Sequence, residues 1–375
     1  MAERSAGNPR LLTKIRGLIR ASGPLSFARF MRLALYDPDG GYYARGSHGL
    51  GRRGDFFTAS DVGTAFGETI ARQLREMDLL LGSPDPFRYI EFGAGRGLLA
   101  RDVLDTFTEA YGDLADRAAP TLADESAAMR AEAGALVPEA VVAPPSEVRA
   151  GGAGCVVAVE LFDALPVHRV RRRAGALHEV GVGLDGESLV EVESEASAPV
   201  RAWAERYGAA PEEGDEAEVS LELTPCLERL AGTIDRGFLL VVDYGDEVPA
   251  LYDRGRRRGT LLAYHRHTAS EDLLARVGEQ DLTAHVNLTA LSDAALACRL
   301  TPLGTTTQDR FLIANGLLDG IDGEENDARA VRRRLRAKQL IHPDGMGRAF
   351  KVALFAKGFD APPVLTGLKD PFSRP

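Results

Sequence analysis

One stretch limits the fold more than any other: Phe87-Arg88-Tyr89-Ile90-Glu91-Phe92-Gly93-Ala94-Gly95-Arg96-Gly97-Leu98-Leu99. A short aromatic and β-branched run ends in an acid, and three glycines follow at alternate positions. An apolar, helix-forming run from Leu98 to Phe107 comes next. That is strand, tight turn and helix start, the unit that receives a nucleotide-like ligand at the carboxyl end of a parallel strand. Glycines suit such a turn because it needs positive φ and because a Cβ would hold a ligand off the backbone. The alternative is a glycine-rich turn that binds nothing.

The spacing narrows the ligand. A dinucleotide fingerprint reads G-x-G-x-x-G, with the pyrophosphate on the helix N-terminus. Here Leu98 stands where its third glycine belongs, and Leu98-Leu99 exclude the Lys-Ser/Thr of a P-loop. An acid two residues before G-x-G-x-G resembles motif I of the S-adenosylmethionine (SAM) methyltransferases. SAM carries no phosphate but does carry a sulfonium and an ammonium. Glu91 beside Gly93, Ala94, Gly95 and Gly97 suits that cation and opposes a pyrophosphate. The second acid of such a site closes the next strand and holds ribose hydroxyls. Asp124 and Glu125 compete for the role, later in the chain than the usual separation of about 20 residues. We favour Asp124, which closes the apolar pair Leu122-Ala123.

Composition excludes other classes. A net charge of −10 supplies no basic field for nucleic acid. The clusters Arg171 to Arg173, Arg254 to Arg258 and Arg332 to Arg334 therefore read as solvated faces. The cysteines, Cys155, Cys226 and Cys298, stand far apart and imply neither zinc nor a disulfide framework. The first residues lack the apolar core of a secretory signal, and no apolar run reaches spanning length. A cytoplasmic protein with no membrane span is expected.

Along the chain, helices are expected over Leu11–Ile19 and Phe27–Tyr36, then a glycine-rich loop from Gly46 to Ser60. Asp61 can cap a third helix with Phe66, Ile70, Leu74, Met77 and Leu81 on its apolar face. A helix over Ala127–Gly134 and strands at Ala140–Val142 and Cys155–Glu160 follow. Val167 to Glu193 alternates around Asp185-Gly186 as a hairpin. Further expectations are a helix over Leu221–Ile234, a buried strand over Phe238–Asp243, and helices near Ser270–Val277, Asp293–Arg299 and Glu324–Leu340. Phe350–Phe355 reads as a closing edge strand. Strands alternating with helices give an α/β, doubly wound sheet. Residues 1–82 form a helical lid region and 83–375 the core, with insertions at about 167–220 and 246–290.

Laid out in this order, the chain resembles the MidA family of SAM-dependent methyltransferases. The likeness runs through Tyr36-Asp37-Pro38, Gly41-Tyr42-Tyr43, Gly54-Asp55-Phe56 with Thr58, and Phe66-Gly67-Glu68. It continues through Glu91 to Gly97, Glu160-Leu161-Phe162-Asp163-Ala164-Leu165-Pro166-Val167 and Asp243-Tyr244-Gly245. Gly259-Thr260-Leu261, Asp281 to Val286 and Met346 to Val352 complete it. Two positions depart from the family pattern: Val159 replaces an Asn, and Ala59-Ser60-Asp61 replaces Ser-Pro-Glu. The resemblance implies a class I methyltransferase fold of Rossmann type, SAM as methyl donor, and a protein acceptor, with arginine as the methylated side chain. The family includes a mitochondrial assembly factor for respiratory complex I.

Guanidinium is a poor nucleophile while protonated, with a pKa above about 12. An enzyme that methylates it must hold it with carboxylates that orient one nitrogen. Glu160 and Asp163, three apart just past the fourth strand, sit on the rim where open α/β sheets place ligands. We assign them the arginine, although Asp163 can instead cap a helix entered at Ala164. Gly54 and Asp55 are assigned to the cofactor side; Asp55 can alternatively approach the guanidinium or be a turn aspartate. Tyr244 can shape an acceptor pocket. His265, His285, Trp203, Tyr42 and Tyr43 read as packing residues. A SAM-binding assembly chaperone and a small-molecule methyltransferase stay open, and so does a homodimer. A nicotinamide oxidoreductase fits the glycine spacing worst.

Overall fold

The computed structural model describes residues 7–44, 59–209, 212–253, 256–319 and 328–373. The chain divides into two compact units. One takes Phe57–Leu161, Leu227–Tyr244 and Ser292–Pro375; the other takes Met1–Phe56, Phe162–Cys226 and Gly245–Leu291.

The first unit opens with a short helix, α1 (Ala59–Val62), and a long one, α2 (Ala65–Leu80). Then alternate β1 (Phe87–Phe92), α3 (Leu98–Ala110), β2 (Ala118–Ala123), α4 (Ala127–Leu136), β3 (Val141–Ala143) and β4 (Ala153–Val159). β5 (Arg236–Asp246), β6 (Thr301–Thr307) and β7 (Phe350–Lys357) join them, and the short strand Val286–Asn287 pairs with the end of β5. The sheet order is β6-β7-β5-β4-β1-β2-β3. Pairings among β5, β4, β1, β2 and β3 are parallel, and both pairings of β7 are antiparallel. This is the doubly wound α/β sheet expected. Strand order reverses at β1, flanked by β4 and β2, so the crevice for a ligand lies at the carboxyl end of β1.

Burial explains the pattern. β4 is covered on both faces, which is why it reads as a continuous apolar run rather than an alternating one. On α2, Phe66, Ile70, Leu74 and Met77 recur at helical spacing and are fully buried.

Four details differ from the sequence expectation. Asp61 does not cap α2, whose N-cap is Thr64; it lies inside α1 and pairs with Arg96. β7 is not an edge, because β6 lies outside it. The Thr-rich β6, with its register shift between Pro302 and Gly304, carries no apolar signature. Residues 271–280 form turns rather than a helix: Leu273 and Val277 are buried, but Arg276 takes φ +43° and Gly278 φ +76°.

The second unit joins the helices Pro9–Ser22 and Phe27–Tyr36 to a four-stranded antiparallel sheet. Its strands are Ser188–Glu195, Ala176–Asp185, His168–Arg173 and Glu216–Val219, in that order. The expected hairpin at Asp185-Gly186 is there, with a second between His168–Arg173 and Ala176–Asp185. Leu11, Ile15, Phe30 and Met31 share one core with Val167, Val182, Leu261 and Leu282. Arg171 is not a free solvated charge: it pairs with Glu193 and Glu216 across the sheet.

Candidate active site

The turn after β1 has the geometry its glycines promise. Gly93, Gly95 and Gly97 take φ of +69°, +52° and +78°. The Gly93 and Ala94 amides both donate to the Ala123 carbonyl, at 2.8 and 3.2 Å, and so tie the turn to the end of β2. Gly97 is the N-cap of α3. The three glycines are demanded for different reasons. A Cβ on Gly97 would lie 3.3 Å from Ala133 and Val137, and one on Gly93 would lie 3.1 Å from Leu161. At Gly95 nothing stands within 4 Å of where a Cβ would go. Packing therefore does not require that glycine; its φ and an open approach to the backbone do.

Two acids flank the turn. Glu91 is 4 % exposed, and its carboxylate accepts the Tyr89 hydroxyl at 2.6 Å. Burial pushes the Glu91 carboxyl up to about 7; the Tyr89 hydrogen bond works against that rise, and the nearby Asp124 and Asp102 add to it. Asp124 accepts the Gly95 amide on Oδ2 at 2.9 Å and the Ser126 amide on Oδ1 at 2.8 Å. Burial raises its carboxyl too, while both amide bonds pull the other way. Glu125 faces outward beside Arg229, at 3.6 Å.

These residues fit a cationic nucleoside ligand. The turn exposes backbone without side chain at Gly95, and a buried carboxyl close to its switching point lies at the strand end. Charging Glu91 in that environment is favourable once a cation faces it.

Glu160 follows β4 directly and takes φ +53°, a left-handed conformation uncommon for a residue with a Cβ. The surroundings hold it there. Its amide donates to the Val242 carbonyl at 2.9 Å, and the next amide, Leu161, donates to Asp243 Oδ2 at 3.2 Å. Its Oε1 accepts the Ala59 amide at 3.3 Å. Backbone strain of this kind concentrates at functional positions.

Asp163 belongs to the other unit and is 2 % exposed. It caps no helix, since Ala164 to Pro166 continue as turn and coil. Its carbonyl accepts the Ala284 amide at 2.9 Å, and the Tyr36 hydroxyl donates to the Ala164 carbonyl at 2.9 Å. The Tyr43 hydroxyl donates to Asp281 at 3.0 Å. Burial raises the Tyr43 hydroxyl well above its usual value, with Asp281 and Asp163 adding to it. Asp163 thus sits in a buried group of tyrosines and acids.

Gly54 and Asp55 lie outside the described residues. Tyr244 stacks on Phe350 with ring centroids 3.9 Å apart. His265 Nδ1 contacts the Glu279 carbonyl, and Trp203 packs on Tyr207, both as packing residues would. Tyr89, Asp243 and Arg96 stand in the motifs quoted above, but the sequence assigned none of them a role. Tyr89 had a signal, because residues two apart on a strand share a face with each other. For Asp243 and Arg96 the motif marked the position but not the role, because their partners are distant in sequence.

Sheet order, glycine turn and paired acids define a SAM-dependent methyltransferase of the Rossmann-like class. The family model described as S-adenosyl-L-methionine-dependent methyltransferase matches residues 69–306, and the chain belongs to that family. It is similar to the mitochondrial protein arginine methyltransferase NDUFAF7 homolog of Drosophila melanogaster, 31 % identical over 75 % of this chain and 69 % of that protein. It is 28 % identical to mitochondrial NDUFAF7 of Rattus norvegicus, over 88 % and 81 % of the two chains. A Burkholderia thailandensis crystal structure bound to S-adenosyl-homocysteine superposes with a TM-score of 0.87 at 30 % identity, covering 96 % of this chain and 97 % of that one. These relatives bear out the MidA-family resemblance and SAM as the methyl donor.

Proposed function

We propose that the protein methylates an arginine side chain of a protein acceptor. When bound, SAM supplies a methyl group already activated by its sulfonium. Gly93, Ala94, Gly95, Gly97 and Asp124 would hold the nucleoside, and Glu91 would face its positive charge. Gly54 and Asp55 are retained as cofactor-side residues from the sequence. The chain's own task at the acceptor is orientation. A guanidinium keeps its proton near neutral pH, so a carboxylate that accepts from it must fix one nitrogen and localise the charge on the others. Glu160 is assigned that role, and Asp163 is retained from the sequence as the second acceptor-side acid. The strained φ of Glu160, held from β5 and α1, carries the reading. The names of the fly and rat relatives support arginine as the acceptor.

Its cysteines are free, which suits a reducing compartment, and we place the protein in the cytoplasm. The fly and rat relatives are named as mitochondrial, so fractionation of the source cells decides the address.

The test is label transfer from methyl-labelled SAM into lysate proteins, with peptide mass spectrometry of the labelled bands. Methylarginine made by the wild type and lost in Glu160→Gln, with S-adenosyl-homocysteine affinity kept, is the expected result. Label on lysine or on a small molecule would refute the arginine assignment.

A further inference from the structure

The glycine turn carries one charged side chain, Arg96, which the turn itself does not need. It reaches α1, where its Nη2 meets Asp61 Oδ1 at 2.5 Å. Both partners are largely shielded, with side-chain exposures of 25 % and 9 %. A charge-assisted bond this short and this screened from water is stronger than an ordinary surface pair.

Its position gives it a consequence. α1 has four residues, too few to hold a helix by its own hydrogen bonds. Ala59 and Val62 anchor it in the core, and Asp61 ties its polar side to the glycine turn. The first amide of the same helix, Ala59, donates to Glu160 Oε1. The Arg96–Asp61 pair, the backbone of α1 and the Ala59 amide therefore link the turn to the acceptor-side carboxylate. All of it lies within one compact unit.

We propose that Arg96 and Asp61 are positioning residues that set the orientation of Glu160 from the cofactor turn. The proposal rests on the reading of Glu160 as the acceptor ligand. Its physical basis is geometric: a carboxylate that accepts one fixed amide keeps its other lone pairs aimed in a fixed direction. Losing the pair frees α1 to shift, and displacements near 1 Å at a reacting group cost on the order of 100-fold in rate.

The test uses the full chain with Arg96→Gln, Asp61→Asn, the double variant and Arg96→Lys. S-adenosyl-homocysteine affinity is read by calorimetry, and exchange of the Ala59 amide by NMR. Expected are affinities within about threefold of wild type, Ala59 exchange faster by about tenfold or more in each single variant, and no further gain in the double variant. Arg96→Lys recovers part of the protection. With the acceptor found by label transfer, kcat falls by about tenfold or more while the acceptor KM changes less. Unchanged Ala59 exchange in Arg96→Gln, or effects that simply add, would overturn the proposal. So would a lowered melting temperature with exchange and kcat unaltered. Should the arginine reading fail, so that the wild type labels no arginine, the exchange arm still decides whether the pair fixes Ala59. If Arg96→Gln does not fold, Asp61→Asn and Arg96→Lys carry the same comparison.

Discussion

The Asp124 carboxylate holds the Gly95 amide at 2.9 Å, so the acid that closes β2 also shapes the turn that closes β1. Its other oxygen holds the Ser126 amide. Each oxygen can accept a second hydrogen bond, which leaves Asp124 able to brace the turn and receive ribose hydroxyls together.

Asp124→Ala should weaken S-adenosyl-homocysteine binding by about tenfold or more and cost about 1–3 kcal/mol of stability, because two amides lose their acceptor. Glu125→Ala should change affinity by less than about twofold, since its exposed pair with Arg229 at 3.6 Å is worth little. Calorimetry and thermal melts on both variants check the contrast.

Alanine at Gly95 and at Gly97 should fail differently. Both substitutions put a Cβ on a left-handed residue, at about 1–2 kcal/mol. Gly97→Ala also forces the α3 start against Ala133 and Val137, at 3.3 Å, so it should lose more melting temperature. Gly95→Ala meets no protein atom and should lose cofactor affinity out of proportion to its stability. Equal affinity loss in the two variants would contradict this division.

Glu91 should make cofactor binding depend on pH. Its carboxyl lies at about 7, so the charged form that favours a cationic ligand grows as pH rises from 6 to 8. SAM affinity should rise over that range and flatten in Glu91→Gln. Folding stability should move the opposite way. The folded state keeps this proton up to about 7 and the unfolded chain only to about 4.5, so the folded form binds more protons between those values. Stability is fullest below 4.5 and declines as pH rises through 7, by up to about 3 kcal/mol. Denaturant melts of wild type and Glu91→Gln across that range measure it.

Asp78 on α2 is fully buried and accepts Arg75 at 2.9 Å and both terminal nitrogens of Arg117, at 3.0 and 2.9 Å. Asp78→Ala would leave two guanidiniums without their buried anion, and should cost about 3–5 kcal/mol. Urea melts check the size, and Asp113→Ala, which removes only an exposed partner of the same arginines, should cost under about 1 kcal/mol.

Much of the fold was legible because local chemistry and tertiary role agreed. The helices at Pro9–Ser22 and Phe27–Tyr36 and α2 announce themselves by apolar period, and the buried strands β4 and β5 by unbroken apolar runs. Where they disagreed, the tertiary context prevailed. Leu273, Leu274 and Val277 have helical spacing, yet the segment turns to bury Leu273 and Val277 in the core shared with Leu11 and Ile15. β6 shows no apolar signature because the antiparallel β7, rather than its own side chains, defines it.

The ligand-bearing turn and the class of its ligand could be read from the amino-acid order alone. Glycine spacing and a flanking acid act over a few residues, so backbone sterics and charge suffice to read them. How the site is held became visible only in the folded chain. Asp124 rather than Glu125 reaches Gly95, Arg96 finds Asp61, and Val242, Asp243 and Ala59 fix the Glu160 turn. Those partners lie tens of residues apart, and only closure of the parallel sheet brings a donor and an acceptor from distant segments to hydrogen-bond distance.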